Sequence, residues 1–153
     1  MSAPVNLRVF EKRSEFKTTA SQLEAFHQDP TALRKLTPPP IIVQVHSDHR
    51  QSLTEGDLIF TLWFGFLPVR WHARHEAAAS AGFADIQISG PMSFWRHEHL
   101  FEATESGAAL IDRVTYAHKS GFAGLMTKLM FDGLPLRFLF FYRHMRTRQA
   151  VER

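Results

Sequence analysis

The chain has no cysteine among its 153 residues. This absence excludes disulfide bonds, catalysis by a thiolate and metal sites with cysteine ligands. The sequence also lacks a stretch of about 18 consecutive apolar residues, and its first residues lack the apolar run of a signal peptide, so we predict a cytoplasmic protein without a membrane-spanning segment. A chain of this length buries about 70% of its unfolded surface, which is enough for a core without cross-links.

Motifs of several enzyme classes are missing as well. There is no glycine-rich fingerprint for a dinucleotide and no Gly-x-Ser-x-Gly motif to hold a nucleophilic serine. We therefore predict no cofactor, and nothing in the sequence supports a redox activity. Tyrosine is scarce, with two residues against 14 phenylalanines, a balance that favours a deep apolar interior over an exposed platform for stacking bases.

The net charge of +3 has a local origin. Several arginines lie in the final segment, where cations interact favourably with the C-terminal dipole of a helix: Arg137, Arg143, Arg146 and Arg148. We interpret them as the solvated end of a helix, with transient contact to an anionic membrane surface as an alternative. One cluster at the end of a chain is too weak a footprint to predict a nucleic-acid partner.

Alternation of apolar and polar residues predicts β-strands along most of the chain. The opening strand lies within residues 5–16. Six more are separated by turn residues and lie at 41–47, 58–64, 69–76, 83–89, 94–103 and 108–118. Their short connections imply antiparallel pairing between consecutive strands. No linker or repeat interrupts the pattern, so we predict one domain over residues 1–153.

Helix signals flank this run of strands. Thr19 and Gln22 have the spacing of a capping box, and Asp29 before Pro30 predicts the start of a second short helix. After residue 120, apolar residues recur at helical spacing and predict a long terminal helix that covers the sheet: Leu125, Leu129, Leu134, Phe138, Phe141 and Met145. Gly133 and Pro135 predict a break or kink within residues 132–135.

This order of elements resembles the START-like superfamily, also called SRPBCC, which includes the birch-pollen-allergen fold and polyketide cyclase/dehydratase-like proteins. The segments most similar to an uncharacterised bacterial branch are LTPPPIIVQV, LTEGDLIFTLWFG, GPMSFWRHEHLFE, LIDRVTY and FDGLPLRFLFFYRHMRT. The resemblance implies an α+β helix-grip fold, in which an antiparallel sheet of about seven strands wraps a long C-terminal helix around a pocket. It implies no single reaction, because the superfamily shares a cavity and not a catalytic motif.

The segment SFWRHEHLF places two histidines among aromatic rings. Trp95, His97, His99 and Phe101 share one face of the predicted strand, and polar groups within aromatic surface are typical of a ligand pocket. Asp85 is the nearest partner for an imidazole, but a shift of one residue in register would turn it to the other face. Three interpretations stay open: a polar part of a ligand cavity, structurally satisfied histidines, or metal ligands. Our prediction includes no metal.

An enzyme would use the same strand. An Asp85 contact would orient His97 or His99 as a general base for a cyclase or dehydratase. Arg113, Tyr116 and the two histidines are candidate donors to a developing enolate. The sequence leaves open whether Asp112 or Arg113 faces inward.

The predicted pocket residues combine aromatic rings, this polar pair and apolar side chains of the terminal helix. They are Trp63, Trp71, Trp95, His97, His99, Phe101, Arg113, Tyr116, Phe122, Leu125, Met126 and Met130, the last four at the mouth. We predict noncovalent binding of a small hydrophobic molecule such as a lipid, isoprenoid, quinone or polyketide. The alternatives are a cyclase/dehydratase-like enzyme and a protein-interaction module, and the chain is expected to be a monomer or a homodimer.

Overall fold

The computed structural model describes residues 6–153, and one seven-stranded antiparallel sheet forms its centre. The elements in chain order are β1 (Arg8–Phe16), α1 (Ala20–Gln28), α2 (Ala32–Lys35), β2 (Ile42–Asp48), β3 (Gly56–Phe64), β4 (Leu67–Ala77), β5 (Gly82–Ser89), β6 (Phe94–Thr104), β7 (Gly107–Ala117), α3 (Gly121–Phe131) and α4 (Gly133–Val151). The six strands after residue 40 match their predictions closely. The predicted start of the opening strand, residue 5, lies outside the described residues.

The strands lie in the order β1-β7-β6-β5-β4-β3-β2. From β2 to β7 each strand therefore pairs with the next along the chain, as the short turns predict. β1 pairs with β7, so the first two strands form opposite edges of the sheet. The two short helices lie in the connection between those edges.

The short helices follow the sequence signals only in part. The capping box of α1 is confirmed, because Thr19 Oγ1 accepts from the backbone N–H of Gln22 at 3.1 Å while Gln22 Oε1 accepts from Thr19 N at 3.2 Å. The predicted start of α2 at Asp29 is wrong. That helix begins at Ala32, and Asp29 instead accepts from the N–H of Thr31 at 2.8 Å, which closes the turn before the helix.

The predicted break in the terminal helical segment is confirmed at Asp132, between α3 and α4. Asp132 Oδ1 accepts from Gly133 N at 2.8 Å and caps α4. Pro135 falls in the first turn of α4, where a missing N–H costs no helical hydrogen bond. Within residues 6–153, no helix combines the length and hydropathy needed to cross a bilayer.

The prediction for the buried face of α4 is wrong. Its conspicuously apolar side chains are exposed, namely Leu134, Phe138, Phe141 and Met145. The face turned toward the sheet consists of Leu136, Phe140, His144 and Thr147. The ring of Phe140 lies 5.2 Å from that of Phe10 on β1 and 5.1 Å from that of His97 on β6, centroid to centroid. Periodicity missed this face because two of its members are polar: His144 bonds to β1 and β7, and Thr147 donates to Arg143 O of its own helix.

Candidate functional site

A cavity of about 560 Å³ lies between the inner face of the sheet, the α2 region with the proline loop that follows it, and the α3–α4 junction. Sites for small molecules typically occupy about 300–1,000 Å³. Most of the lining side chains are apolar, among them Leu33, Leu36, Leu58, Phe60, Leu62, Phe64, Trp71, Trp95, Leu129, Met130, Phe131, Phe138 and Leu139. The volume and the apolar wall fit a ligand with a hydrophobic body.

Aromatic rings form one wall of the cavity. Trp71 on β4 stacks on Phe60, its register partner on β3, with ring centroids 6.2 Å apart. It meets Trp95 on β6 edge to face at 5.3 Å and Phe131 of α3 at 5.7 Å. Such pairs are stabilised beyond the area they bury, so this wall is shaped before a ligand arrives.

One polar group in the otherwise apolar lining consists of three side chains from β5 and β6. Asp85 is the register partner of His97, so both side chains point to the inner face. The imidazole of His99 donates from Nε2 to Asp85 Oδ2 at 2.8 Å. Nδ1 of His97 lies 3.6 Å from the same oxygen, beyond hydrogen-bond distance. Asp85 therefore holds His99 directly and faces His97 across a short gap.

Behind this group, Asp112 on β7 joins the sheet to α4. Its Oδ1 accepts from His97 Nε2 and its Oδ2 from His144 Nε2, both at 2.7 Å. Nδ1 of His144 is in turn hydrogen-bonded to Ser14 Oγ at 2.7 Å. Burial alone would raise the pKa of Asp112, but the hydrogen bonds from His144 and His97 outweigh it and hold that pKa well below 3.8. Asp112 is thus a buried anion whose position is fixed from two sides.

Burial controls the charge of the histidines around the cavity. It lowers the pKa of His99 to about 3 and that of His27 to about 4, and it also lowers the pKa of His75. These imidazoles are therefore neutral at pH 7. A side chain as weakly basic as His99 is a poor general base, so it is better suited to orient a group than to remove a proton.

Arg143 brings a cation into the cavity wall from α4. Among residues 6–153 no carboxylate forms an ion pair with its guanidinium, whose Cζ lies 5.7 Å from the ring centroid of Phe140. Burial lowers the pKa of Arg143, and the charges of Asp112 and Asp85 offset only part of that effect. Arginine nevertheless stays protonated in proteins. The cavity therefore contains a positive charge that no neighbouring side chain neutralises by contact.

Some of the predicted site residues line the cavity in the structure, and the others do not. The cavity lining includes Trp71, Trp95, Asp85, His97, His99 and Met130. The remaining candidates lie elsewhere: Trp63, Phe101, Arg113, Tyr116, Phe122, Leu125 and Met126. Phe101 belongs to a second core cluster around Leu23 and Phe83, and Tyr116 donates its hydroxyl to Asp132 Oδ1 at 2.8 Å.

Other candidates face away from the cavity. Trp63 is on the outer side of β3, where its indole N–H donates to Gln44 Oε1 at 2.9 Å. Arg113 is on the outer face of β7 and donates to Glu11 Oε2 at 2.8 Å, since Asp112 takes the inward position. On α3, Phe122 and Leu125 are exposed. The predicted mouth is therefore corrected to the part of α3 and α4 that borders the helix break, with Leu129, Met130, Pro135 and Phe138.

Sequence reasoning missed several polar residues of the lining, among them His27, His75 and Arg143. His75 is buried, stacks on Phe83 with centroids 5.3 Å apart, and donates from Nδ1 to Leu53 O at 3.0 Å. Its only signal was its place on an alternating strand, two residues from Ala73 and four from Trp71. Arg143 was interpreted as part of a solvated cluster, and only its spacing of three residues from Phe140 distinguishes it from its neighbours.

No family model matches the chain, and no curated protein matches it. Several solved structures are similar to it. The Zhui aromatase/cyclase from Streptomyces sp. R1128 superposes with a TM-score of 0.70 at 12% identity, over 97% of this chain and 95% of that one. A START superfamily protein from Mycobacterium smegmatis gives a TM-score of 0.68 at 12% identity, over 94% and 97% of the two chains.

A third similar structure is much longer than this chain. The nucleoside-diphosphate sugar epimerase from Corynebacterium glutamicum matches with a TM-score of 0.66 at 22% identity. The match covers 92% of this chain but 28% of the epimerase. All three likenesses extend over more than nine-tenths of this chain. The chain therefore adopts the START-like, or SRPBCC, helix-grip fold.

Proposed function

We propose that the chain binds a small hydrophobic molecule noncovalently in the cavity between the sheet and α4. The observation that carries the proposal is a cavity of about 560 Å³ whose lining is mostly apolar. Burying about 300 Å² of apolar ligand surface contributes roughly 7 kcal/mol before association costs, which is enough for useful affinity. The START superfamily and aromatase/cyclase proteins of the same fold support this class of ligand, which includes lipids, isoprenoids, quinones and polyketides.

The polar end of the ligand is placed at Arg143 in this proposal. An apolar wall retains the body of the ligand, and the guanidinium offers a charge that no described carboxylate contacts. An anionic or strongly accepting oxygen would receive charge-assisted hydrogen bonds there. The proposed ligand is therefore amphipathic, with a carboxylate, enolate or quinone oxygen at one end.

The test compares two probes that share one polyene chain, one with a charged head group and one with a neutral head group. cis-Parinaric acid and its methyl ester are titrated into freshly purified protein, and binding is followed by the fluorescence of the polyene. We expect Arg143→Gln to weaken binding of the acid at least tenfold and to change binding of the ester less than twofold, because only the acid has a full negative charge for the guanidinium.

Arg137→Gln is the matched control, since Arg137 is an exposed arginine of the same helix outside the cavity. It should leave both affinities unchanged. Failure of the wild type to bind either probe would contradict binding of long-chain ligands. Equal losses for acid and ester in Arg143→Gln would leave hydrophobic binding standing and remove the role of Arg143. Native mass spectrometry of the fresh protein identifies any molecule retained from the host.

Acid–base catalysis of the cyclase type is a second candidate, favoured by the position of His97. Asp112 holds its Nε2, which leaves Nδ1 directed toward the cavity side near Asp85. A base held in this way suits proton abstraction from an activated carbon. With a poly-β-ketone analogue, an enzyme would lose turnover far more than affinity in His97→Gln, whereas a binder would show no turnover in the wild type.

A further inference from the structure

The cavity wall brings three potential metal-binding atoms together. Asp85, His97 and His99 each offer one ligand atom, and these three atoms all lie within 4.8 Å of one another. The carboxylate oxygen is 2.8 Å from the His99 nitrogen and 3.6 Å from the His97 nitrogen. A tetrahedral ion with bonds of about 2.0–2.1 Å holds its ligand atoms about 3.3 Å apart. Small side-chain movements would therefore bring all three atoms to ligand distance.

The atoms on the far side of the two imidazoles point to the same use. Metal-binding histidines usually donate their other ring N–H to a carboxylate, which orients the ring. His97 Nε2 donates to Asp112 Oδ1 at 2.7 Å, and His99 Nδ1 lies 3.3 Å from the same oxygen. Asp112 is therefore placed to support both rings, and His144 holds it from α4.

A missing hydrogen bond supplies independent evidence. His99 Nδ1 is buried and has no hydrogen-bond partner among the described residues. A neutral imidazole has one N–H, so it serves either Asp85 or Asp112 and turns a lone pair toward the other carboxylate. A cation between Nε2 and Asp85 removes this conflict, because the proton then lies on Nδ1 and faces Asp112. A cation that replaces the proton on His99 Nε2 therefore accounts for the unpaired His99 Nδ1.

We propose that Asp85, His97 and His99 bind one divalent transition-metal ion that accepts nitrogen ligands, such as zinc or cobalt(II), with its remaining coordination positions open to the cavity. Asp85 and Asp112 each contribute one negative charge, and Arg143 contributes one positive charge. The ion therefore leaves a net positive site that favours an anionic ligand atom. The sequence analysis kept metal ligands open as one interpretation of these histidines, because the β5–β6 register decides whether Asp85 faces them.

The test uses the metal alone as probe, so it does not depend on the hydrophobic ligand. Tag-free protein is treated with chelator, exchanged into metal-free buffer and titrated with cobalt(II), with visible absorption as the readout, and with zinc by calorimetry. We expect one ion per chain and the intense absorption of a four- or five-coordinate cobalt site. Asp85→Asn and His99→Gln should each weaken binding at least ~100-fold, and Asp112→Asn about 10- to 100-fold.

His72→Gln is the matched control. His72 donates from Nε2 to Asp57 Oδ2 at 2.7 Å, so it forms the same type of pair outside the cavity and without a second histidine. This variant should bind like the wild type. Circular dichroism verifies the fold of each variant, and zinc-dependent shifts of the His97 and His99 imidazole ¹⁵N signals test the site in the wild type itself. No 1:1 complex in the wild type, retained affinity in folded Asp85→Asn, or loss in His72→Gln would each overturn the proposal.

Discussion

His27 illustrates at the residue scale how burial makes a neutral histidine a source of pH-dependent stability. Its ring packs against those of Phe101 and Phe83, with centroids 5.3 Å and 6.2 Å away, and its Nδ1 donates to Leu23 O at 2.8 Å. Burial lowers the pKa of His27 from 6.5 to about 4. The unfolded chain therefore binds a proton more readily between these values, so the free energy of unfolding falls as pH drops through this range.

We predict that His27→Phe weakens this pH dependence. Lowering the pH from 7.5 to 5.0 should cost the wild type about 2 kcal/mol more of unfolding free energy than the variant, since phenylalanine cannot take up the proton in the unfolded state. Urea denaturation at the two pH values measures the difference. His49→Phe, at an exposed position, should behave like the wild type. An unchanged pH dependence in His27→Phe would contradict the assignment.

At the scale of elements, the α3–α4 junction is tied to both β7 and β1 through one carboxylate. Asp132 accepts from Gly133 N at 2.8 Å, from Tyr116 Oη at 2.8 Å, from His118 Nε2 at 2.9 Å and from Arg8 Nη1 at 2.7 Å. These bonds outweigh the effect of burial and lower the pKa of Asp132. The junction that shapes the cavity rim thus depends on a single cap.

We predict that Asp132→Ala lowers the free energy of unfolding by about 3 kcal/mol, because it removes the cap and leaves Tyr116 and His118 without their acceptor. Asp132→Asn should lose only about 1 kcal/mol, since asparagine caps a helix as well as aspartate does and retains an acceptor oxygen. Urea denaturation of the pair separates the cap from the charge. Equal losses in both variants would show that the charge, and not the cap, holds the junction.

On the scale of the whole molecule, the sequence predicted the fold far better than the site. Strand periodicity and turn residues place six strands because alternation is a local property that the sheet preserves. The face of α4 could not be predicted, because His144 and Thr147 are buried by hydrogen bonds to distant groups or to the helix itself. When a helix is apolar on more than one side, periodicity alone cannot tell which side is buried.

In the candidate site, local sequence patterns predicted which face of a strand a residue occupies but not its contacts with other elements. Alternation placed His97 and His99 on the inner face with Trp95, as the structure does. Strand register decides the contacts with Asp85 and Asp112, so the sequence named Asp85 as a candidate partner but left its contact and the direction of Asp112 open. The contact with His144 depends on a helix from the other end of the chain and was not predicted. Arg143 was assigned to solvent because it was grouped with three neighbouring arginines. Its position one turn after Phe140 was the sign that it faces inward.

The strand order of the sheet has a consequence for the growing polypeptide. Among the seven strands of this sheet, β1 is made first and pairs with β7, which is made last, and Arg8 lies opposite Tyr116. Contacts so distant in sequence form slowly. β1 has no partner in the sheet until β7 follows, because β1 ends at Phe16 and β7 begins at Gly107. The meander from β2 to β7 assembles without such a delay. During synthesis, β1 therefore remains an unpaired segment and joins the sheet only after β7 has emerged.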